Sequence, residues 1–489
     1  MTSDPAAPSI ASEIARRAAT EPDRVVLVHV APDGTERTFT WAELDRRSSQ
    51  LAGALAERGL SFGDRLGIAL ANTPHFVLAG FAAWKLGAVP VPMRWDLPDW
   101  ELERLRQTVD GRVHLGVDDI GWIDATSDLP VPDLPDVVSP HVNGLCSSGS
   151  TGTPKIIISN RRGVIDPIHH APFIELWGVK VPRPQTPIVL GPMYHINGFH
   201  GLSQLVGGDQ LVVMEKFDAA LVVDLIERHG VTQFPCTPTM LKRIADLPDI
   251  DERDLSSIVW FMVGSAPMPP YLMHRWAELT GPEKIVMAYG STEQLGMTAI
   301  RGDHWMEHEG TVGRPLPGTE VKILGPDGVE VPHGEIGDVY LRSSNFLGAT
   351  YLGDASPIPM TDDGFGTVGD MGYVDDDGYL YLVDRRVDLI ITGGANVFPA
   401  EVEMALMEHP AVADVVVIGL LDEEWGRRVH AVIEAADPSD PPTFEQIRAY
   451  AKDRLATYKV PKSIEIVDAI PRSAATKVNR RALIDARGG

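Results

Sequence analysis

Cysteine is nearly absent: the chain of 489 residues carries only Cys146 and Cys236. Two thiols cannot staple a chain of this length, so a disulfide framework is excluded, a reducing compartment or simple indifference to redox is expected, and each cysteine reads as a small buried hydrophobe. Long apolar runs are missing as well. The longest, over residues 76–84, falls far short of the roughly 20 residues that a membrane-spanning helix needs. The N-terminal MTSDPAAPS has no basic start and no apolar stretch behind it, so no secretory signal is expected and the expected location is cytoplasmic. Positive charge is in deficit, with 43 Lys+Arg against 68 Asp+Glu and a net charge of −25. Such a surface repels phosphodiester backbones, and no basic groove offsets it, so nucleic acid is not an expected partner. Repeats are also lacking, and biased composition is confined to the Pro/Asp-rich loops 128–140 and 437–442.

What is present is ordinary globular material, 44% hydrophobic and 23% charged, in a chain long enough for about three folding units. From residue 25 onward short β-branched runs alternate with helical periods. RVVLVHV is followed by a turn at Pro32-Asp33-Gly34 and by TFTW leading into a helix that Thr40 and Glu43 open as a capping box and Gly59 closes. DRLGIAL, AVPVPM, VHLGV, LVVM and IVWFMVG read as strands, with a helix over 74–86 between the first two. This alternation is α/β grammar, and continuous apolar runs predict sheets covered by helices on both faces. Near Asp384 the pattern changes. Helices around 400–408 and 443–455 and strands at ADVVVIGL, VHAVIEA and SIEIVDAI predict a small α+β domain. The expected division is 1–384 and 385–489, with a short charged joint at 384–388 reading as a hinge.

Residues 145–155, LCSSGSTGTPK, place three Ser, two Thr, two Gly and one Lys in eleven positions. Hydroxyls and glycine N–H groups at this density offer many donors to an anion, and Lys155 adds a point charge. A Walker A loop is excluded: counting from Gly149, it requires Gly-Lys-Ser/Thr where the chain has Pro154, Lys155 and Ile156, and Lys155 precedes the strand-like IIIS rather than a helix. The DDDG at 375–378 does not make a calcium loop, because Tyr373 falls where its first carboxylate belongs; it reads as a hairpin turn. His169-His170 and His195/His200 lack the spacing of a helical zinc motif.

SSGSTGTPK resembles the signature loop of the adenylate-forming enzymes, the superfamily of acyl-CoA synthetases, peptide-synthetase adenylation domains and firefly luciferase. The resemblance continues in order through PMYHINGF at 192–199, VGSAP at 263–267, AYGSTE at 288–293, TVGDMGY at 367–373, DRRVDLIITGGANVFPAEVE at 384–403 and PRSAATK at 471–477. It implies a large N-terminal domain binding ATP and a carboxylic acid, capped by a mobile C-terminal lid. Ser147, Ser148, Gly149, Ser150, Thr151, Gly152 and Lys155 would cradle the phosphates. Lys477 would bridge the carboxylate and the α-phosphate. Glu293 would ligate Mg²⁺, and Thr292 would hydrogen-bond the α-phosphate beside Gly290 and Ser291. Tyr289 would pack on adenine, with Gly264, Ser265 and Ala266 on its other side. Asp370 would accept from the ribose hydroxyls, Arg385 would contact ribose or phosphate, and His195 would line the acid pocket.

Such a site must hold two mutually repelling anions, so cations belong between them. The lid would then rotate to admit an acyl acceptor, with the hinge near residue 387. The loop containing Gly393 and Gly394 is similar to the one lining the pantetheine tunnel of CoA ligases, and Lys459 and Lys462 would suit CoA phosphates. Two positions depart from the family pattern, Val387 in place of Asp or Lys at the hinge and Thr476 in place of Gly before Lys477. Relatives of the coronafacate-ligase type transfer to an amino-acid amine, so that acceptor stands as the alternative to CoA. A catalytically silent nucleotide-binding protein would have lost Lys477, Glu293 or Asp370, and all three are present. The segments around 236–249 and 302–315 are most similar to ligases of bulky or cyclic acids.

Overall fold

The computed structural model describes residues 7–146, 155–165, 172–346, 348–353, 357–473 and 478–488. The predicted strands form, and their order explains where a ligand can sit. Glu36–Thr40, Val25–Val30, Leu211–Met214 and Ile188–Val189 make one sheet. A single bridge from Pro187 to Gln233 leads to a second sheet of Gln233–Cys236, Trp260–Val263, Ile285–Gly290, Met297–Arg301 and Arg314–Pro315. The first three strands of that second sheet run parallel, so their C-terminal ends share one edge, the edge at which open α/β sheets bind ligands. A third parallel sheet centres Arg65–Ile68 between Val89–Pro92 and Val113–Leu115. Val89–Pro92 holds two prolines and lies at the edge of that sheet, where a missing N–H does least harm.

The helices sit as the periodicity predicts. Thr40 Oγ1 accepts the Glu43 N–H at 3.2 Å to open the helix Trp41–Glu57, although only this half of the expected capping box forms among the described residues. Gly59, at φ +91°, lets the chain turn so that Leu60 N–H reaches the Leu55 carbonyl at 3.0 Å. The helix Pro74–Lys85 is buried almost all round, which places it in the middle of the main core, where its Phe76 and Trp84 meet Phe199 edge-on. Both cysteines are buried and unpaired.

Helix-covered sheets do not extend throughout. Between residues 306 and 398 the described residues form only strands and loops, including the antiparallel sheet Thr319–Leu324, Gly337–Ser343, Asp370–Val374 and Leu380–Arg385. The reason is local: Gly337–Ser343 alternates buried and half-buried positions, as a strand with one solvated face does, and tight turns join neighbours. The 375–378 turn is one of them, closed by Asp375 Oδ1 accepting the Asp377 and Tyr379 N–H groups. Toward the C-terminus, Val412–Asp422, Gly426–Ala435 and Ser463–Val467 form a sheet. Pro399–Met407 and Phe444–Lys452 pack with one of its faces and Arg480–Asp485 with the other.

One buried side chain ties the parallel sheets to the loop before His195. Asn72, just beyond the strand Arg65–Ile68, donates to the Gly191 and Met214 carbonyls at 2.9 and 3.1 Å and accepts the Met193 N–H at 2.7 Å. Asn72→Ala leaves these buried backbone groups unpaired, so urea unfolding should show a loss of about 1–3 kcal/mol. Asn72→Asp should cost more, because a carboxylate would face two carbonyls.

Candidate active site

The edge formed by the strand ends collects most of the residues singled out in the sequence. Tyr289 and Gly290 close the strand Ile285–Gly290, and Ser291, Thr292 and Glu293 follow it. Gly264, Ser265 and Ala266 follow Trp260–Val263, and Gly264 N–H bonds the Cys236 carbonyl at 3.2 Å. Ser265 holds φ +70°, a left-handed conformation that a non-glycine residue seldom adopts. Asn197, in the first turn of the helix Ile196–Gly207, donates to Ser265 Oγ at 3.4 Å. That helix starts directly after His195, and it starts tightly: a Cβ on Gly198 would lie 2.4 Å from the Pro192 carbonyl oxygen. His195 is half-buried against the Tyr194 ring, 5.0 Å between centroids. Tyr194 itself is buried, with no partner for its hydroxyl among the described residues, and burial pushes that hydroxyl up to about 12.

Asp370 is the meeting point of two sheets. Its Oδ2 accepts the Tyr289 hydroxyl at 2.8 Å and its Oδ1 accepts Arg385 Nε at 3.0 Å. Asp370 and Arg385 are cross-strand partners in register, whereas Tyr289 arrives from the five-stranded sheet. Burial, reinforced by the Asp370 charge, holds the Tyr289 hydroxyl well above its ordinary range, so it stays a donor.

A second cluster lies around Glu293. Its Oε1 accepts the Tyr351 hydroxyl at 2.8 Å, while Oε2 has no hydrogen bond or ion pair among the described residues. Gln294 and Ser159 bond each other at 3.3–3.4 Å, and Lys155 Nζ stands 4.5 Å from the Tyr351 ring centroid. The Ser291 hydroxyl is buried with no partner among the described residues. A half-buried carboxylate with one open oxygen, a lysine ammonium and an unsatisfied hydroxyl form a donor set that suits a phosphate carrying a hard cation.

Ser147, Ser148, Gly149, Ser150, Thr151, Gly152 and Lys477 lie outside the described residues, as do His169 and His170. The strands flanking 147–155 are described: Gly144–Cys146 and Ile156–Ser159 pair antiparallel with Cys146 opposite Ile156, so the segment joins the two arms of a hairpin. Gly393 and Gly394 form the turn between the strands Ile390–Thr392 and Ala395–Val397. Gly393 N–H bonds the Trp425 carbonyl at 2.8 Å, its positive φ of +55° brings the indole against it, and Lys462 Nζ lies 4.3 Å from the same indole. Lys459, expected to be available to phosphates, is instead held by both Glu401 oxygens, at 2.5 and 2.6 Å.

Sequence reasoning missed the charged cluster at the joint. Arg480 pairs with both Glu403 oxygens at 2.6 and 2.7 Å and with Asp388 at 3.5 Å, and Asp384 accepts the Ala400 N–H at 2.9 Å. The only signal was charge density in DRRVD, which does not name its partner.

Two family models match the chain, the AMP-binding enzyme at residues 14–146 and 145–352, and the AMP-binding enzyme C-terminal domain at 401–477. The chain belongs to the AMP-binding enzyme family. It is an acid ligase of the adenylate-forming superfamily, with that superfamily's large and small α/β units. A feruloyl-CoA synthase of Amycolatopsis sp is 32% identical over 483 residues, covering 95% of this chain and 96% of its own. The o-succinylbenzoate coenzyme A synthetase of Bacillus subtilis in complex with ATP and magnesium ion superposes with a TM-score of 0.80 at 27% identity, covering 96% and 98%. The amide bond synthetase McbA of Marinactinospora thermotolerans superposes with a TM-score of 0.78 at 25% identity, covering 98% and 99%. No helix among the described residues is long and apolar enough to cross a membrane.

The Asp384 carboxyl is pushed up to about 6, first by burial. Because its folded value lies above the ordinary carboxylate value, the folded chain binds that proton more tightly than the unfolded one, and this contribution to stability declines as pH rises from about 4 to 6. Asp384→Asn keeps an acceptor for Ala400 N–H without the charge. Urea unfolding at pH values across that interval should show a flatter stability profile for the variant.

Proposed function

We propose that this enzyme activates a bulky or cyclic carboxylic acid as its acyl adenylate and passes the acyl group to coenzyme A. The observation that carries the proposal is the convergence on one sheet edge of Asp370, bonded by Tyr289 and Arg385, with Glu293, Lys155 and the unpartnered Ser291 hydroxyl. These groups suit a ribose on the one side and a polyphosphate on the other. Glu293, with its open Oε2, would hold the Mg²⁺ that accompanies ATP and neutralises phosphate charge. Asp370 would exchange its bonds to Tyr289 and Arg385 for ribose hydroxyls, freeing the Tyr289 ring to pack on adenine beside Gly264, Ser265 and Ala266. Thr292 and Gly290 would face the α-phosphate.

In the first half-reaction a carboxylate oxygen attacks the α-phosphorus, the α–β bridging bond breaks, and pyrophosphate leaves. Lys477 supplies positive charge between the two anions, which is worth most where charge develops. His195 lines the acid pocket, alongside Tyr194. In the second half-reaction the acceptor attacks the acyl carbon, the bond to the AMP oxygen breaks, and AMP departs. The lid, residues 385–489, turns between the two about the joint near Val387, which is 72% exposed. Coenzyme A is favoured as acceptor by the Trp425 indole beside Gly393 with Lys462 over its face, an aromatic and cationic platform for a phosphorylated adenine. The relatives named for CoA ligation point the same way. Similarity to an amide bond synthetase, together with Val387 at the hinge, keeps an amino-acid amine as the second reading.

Pyrophosphate release over a panel of hydroxycinnamic, arylcarboxylic, alicyclic and linear fatty acids should be strongest for ring-bearing acids. Mass spectrometry with coenzyme A or amino acids as the sole acceptor should then show a thioester; an amide alone would reverse the choice of acceptor, and no acid-dependent pyrophosphate release would end the whole reading. Lys477→Ala should lose adenylate formation by at least about 10²-fold while transfer from a preformed acyl adenylate is largely spared. Equal loss of both half-reactions in the folded variant would remove Lys477 from its assigned role.

A further inference from the structure

Tyr351 is outside every motif that led to the site, yet it touches two of the site's charged residues. Its strand, Ala349–Leu352, adds antiparallel to Ile156–Ser159 with Tyr351 opposite Ile157 and Leu352 opposite Ile156. Side chains two apart on a strand share a face, so Lys155 is the diagonal neighbour of Tyr351. That register sets the Lys155 ammonium over the ring, 4.5 Å from its centroid. The phenol at the far end of the same ring donates to Glu293 Oε1 at 2.8 Å. A single rigid side chain with two torsions thus links the lysine that ends the phosphate-loop segment to the carboxylate at the end of YGSTE.

We infer that Tyr351 is a positioning residue for the metal and the polyphosphate, and this rests on the reading of Glu293 as the Mg²⁺ ligand. By occupying Oε1, the phenol fixes the carboxylate's rotation and leaves Oε2 as the oxygen presented to the cation. A ligand carboxylate held by an outer hydrogen bond does not lose rotational freedom on binding, and such partners tune metal affinity about 10–100-fold. The ring does a second task, holding the Lys155 ammonium by its quadrupole at a set distance from the metal carboxylate.

The test uses the full chain with a non-hydrolysable ATP analogue. Mn²⁺ binding is read by electron paramagnetic resonance, and nucleotide binding at saturating Mg²⁺ by a fluorescent ATP analogue. Tyr351→Phe, which keeps the ring, should weaken Mn²⁺ about tenfold or more and change nucleotide affinity at saturating Mg²⁺ by less than about threefold. Tyr351→Leu, which removes the ring as well, should weaken both. Glu293→Gln should weaken Mn²⁺ at least as much as Tyr351→Phe, and adding Tyr351→Phe to it should cause little further loss, because the tyrosine acts through Glu293. If Glu293→Gln leaves Mn²⁺ binding unchanged, the metal-ligand reading itself falls. If Glu293→Gln weakens Mn²⁺ and Tyr351→Phe does not, or lowers only the ligand-free unfolding temperature, the role given to Tyr351 falls alone.

Discussion

The structure turns on a carboxylate shared between separately built sheets. Asp370 is delivered by an antiparallel hairpin, and its two oxygens are taken by Tyr289 from the five-stranded sheet and by Arg385 from the opposite arm of its own hairpin. The Asp370 carboxylate is buried and needs partners for its charge, and the exposed Arg385 guanidinium supplies one of them. Arg385 stands at the end of the strand from which the chain passes on toward the C-terminal sheet.

Charge is organised around this point in a way that the overall balance conceals. With a net charge of −25, the chain is a poor place to bring a carboxylate and a polyphosphate together. The site answers with few cations, of which Arg385 is bonded to Asp370. Lys155 stands over a tyrosine ring and Lys462 over a tryptophan. Where cations serve the architecture, they are fully paired instead: Lys459 with Glu401, Arg480 with Glu403, Arg472 with Asp414.

Local signals carried far. Continuous apolar runs such as LVVM are buried strands, the 375–378 turn is a hairpin, and Gly59 ends a helix in a left-handed conformation. These features depend on neighbours in the chain, on period and on backbone sterics, so a linear reading reaches them. The same reading did not anticipate the stretch of strands and loops at 306–398, because an apolar run does not state whether the next strand returns beside it or crosses over. Nor did it foresee that Lys459 pairs with Glu401, since Glu401, 58 positions away, gave no hint of its proximity.

From the sequence alone came the class of chemistry: the hydroxyl-rich loop that cannot be a Walker motif, the ordered series of motifs, and the residue types a paired-anion site requires. The class of chemistry follows from the resemblance that these motifs carry to the adenylate-forming enzymes, and the order of motifs along a chain needs no third dimension. The tertiary structure decided who holds whom: Asn72 clamping the loop before His195, Tyr351 standing between Lys155 and Glu293, Arg480 closing the cluster at the joint. The reason is physical. Each of these contacts joins residues brought together by strand register or sheet edges, and hydrogen bonds and ring contacts act over a few ångströms of space, whatever the distance along the chain.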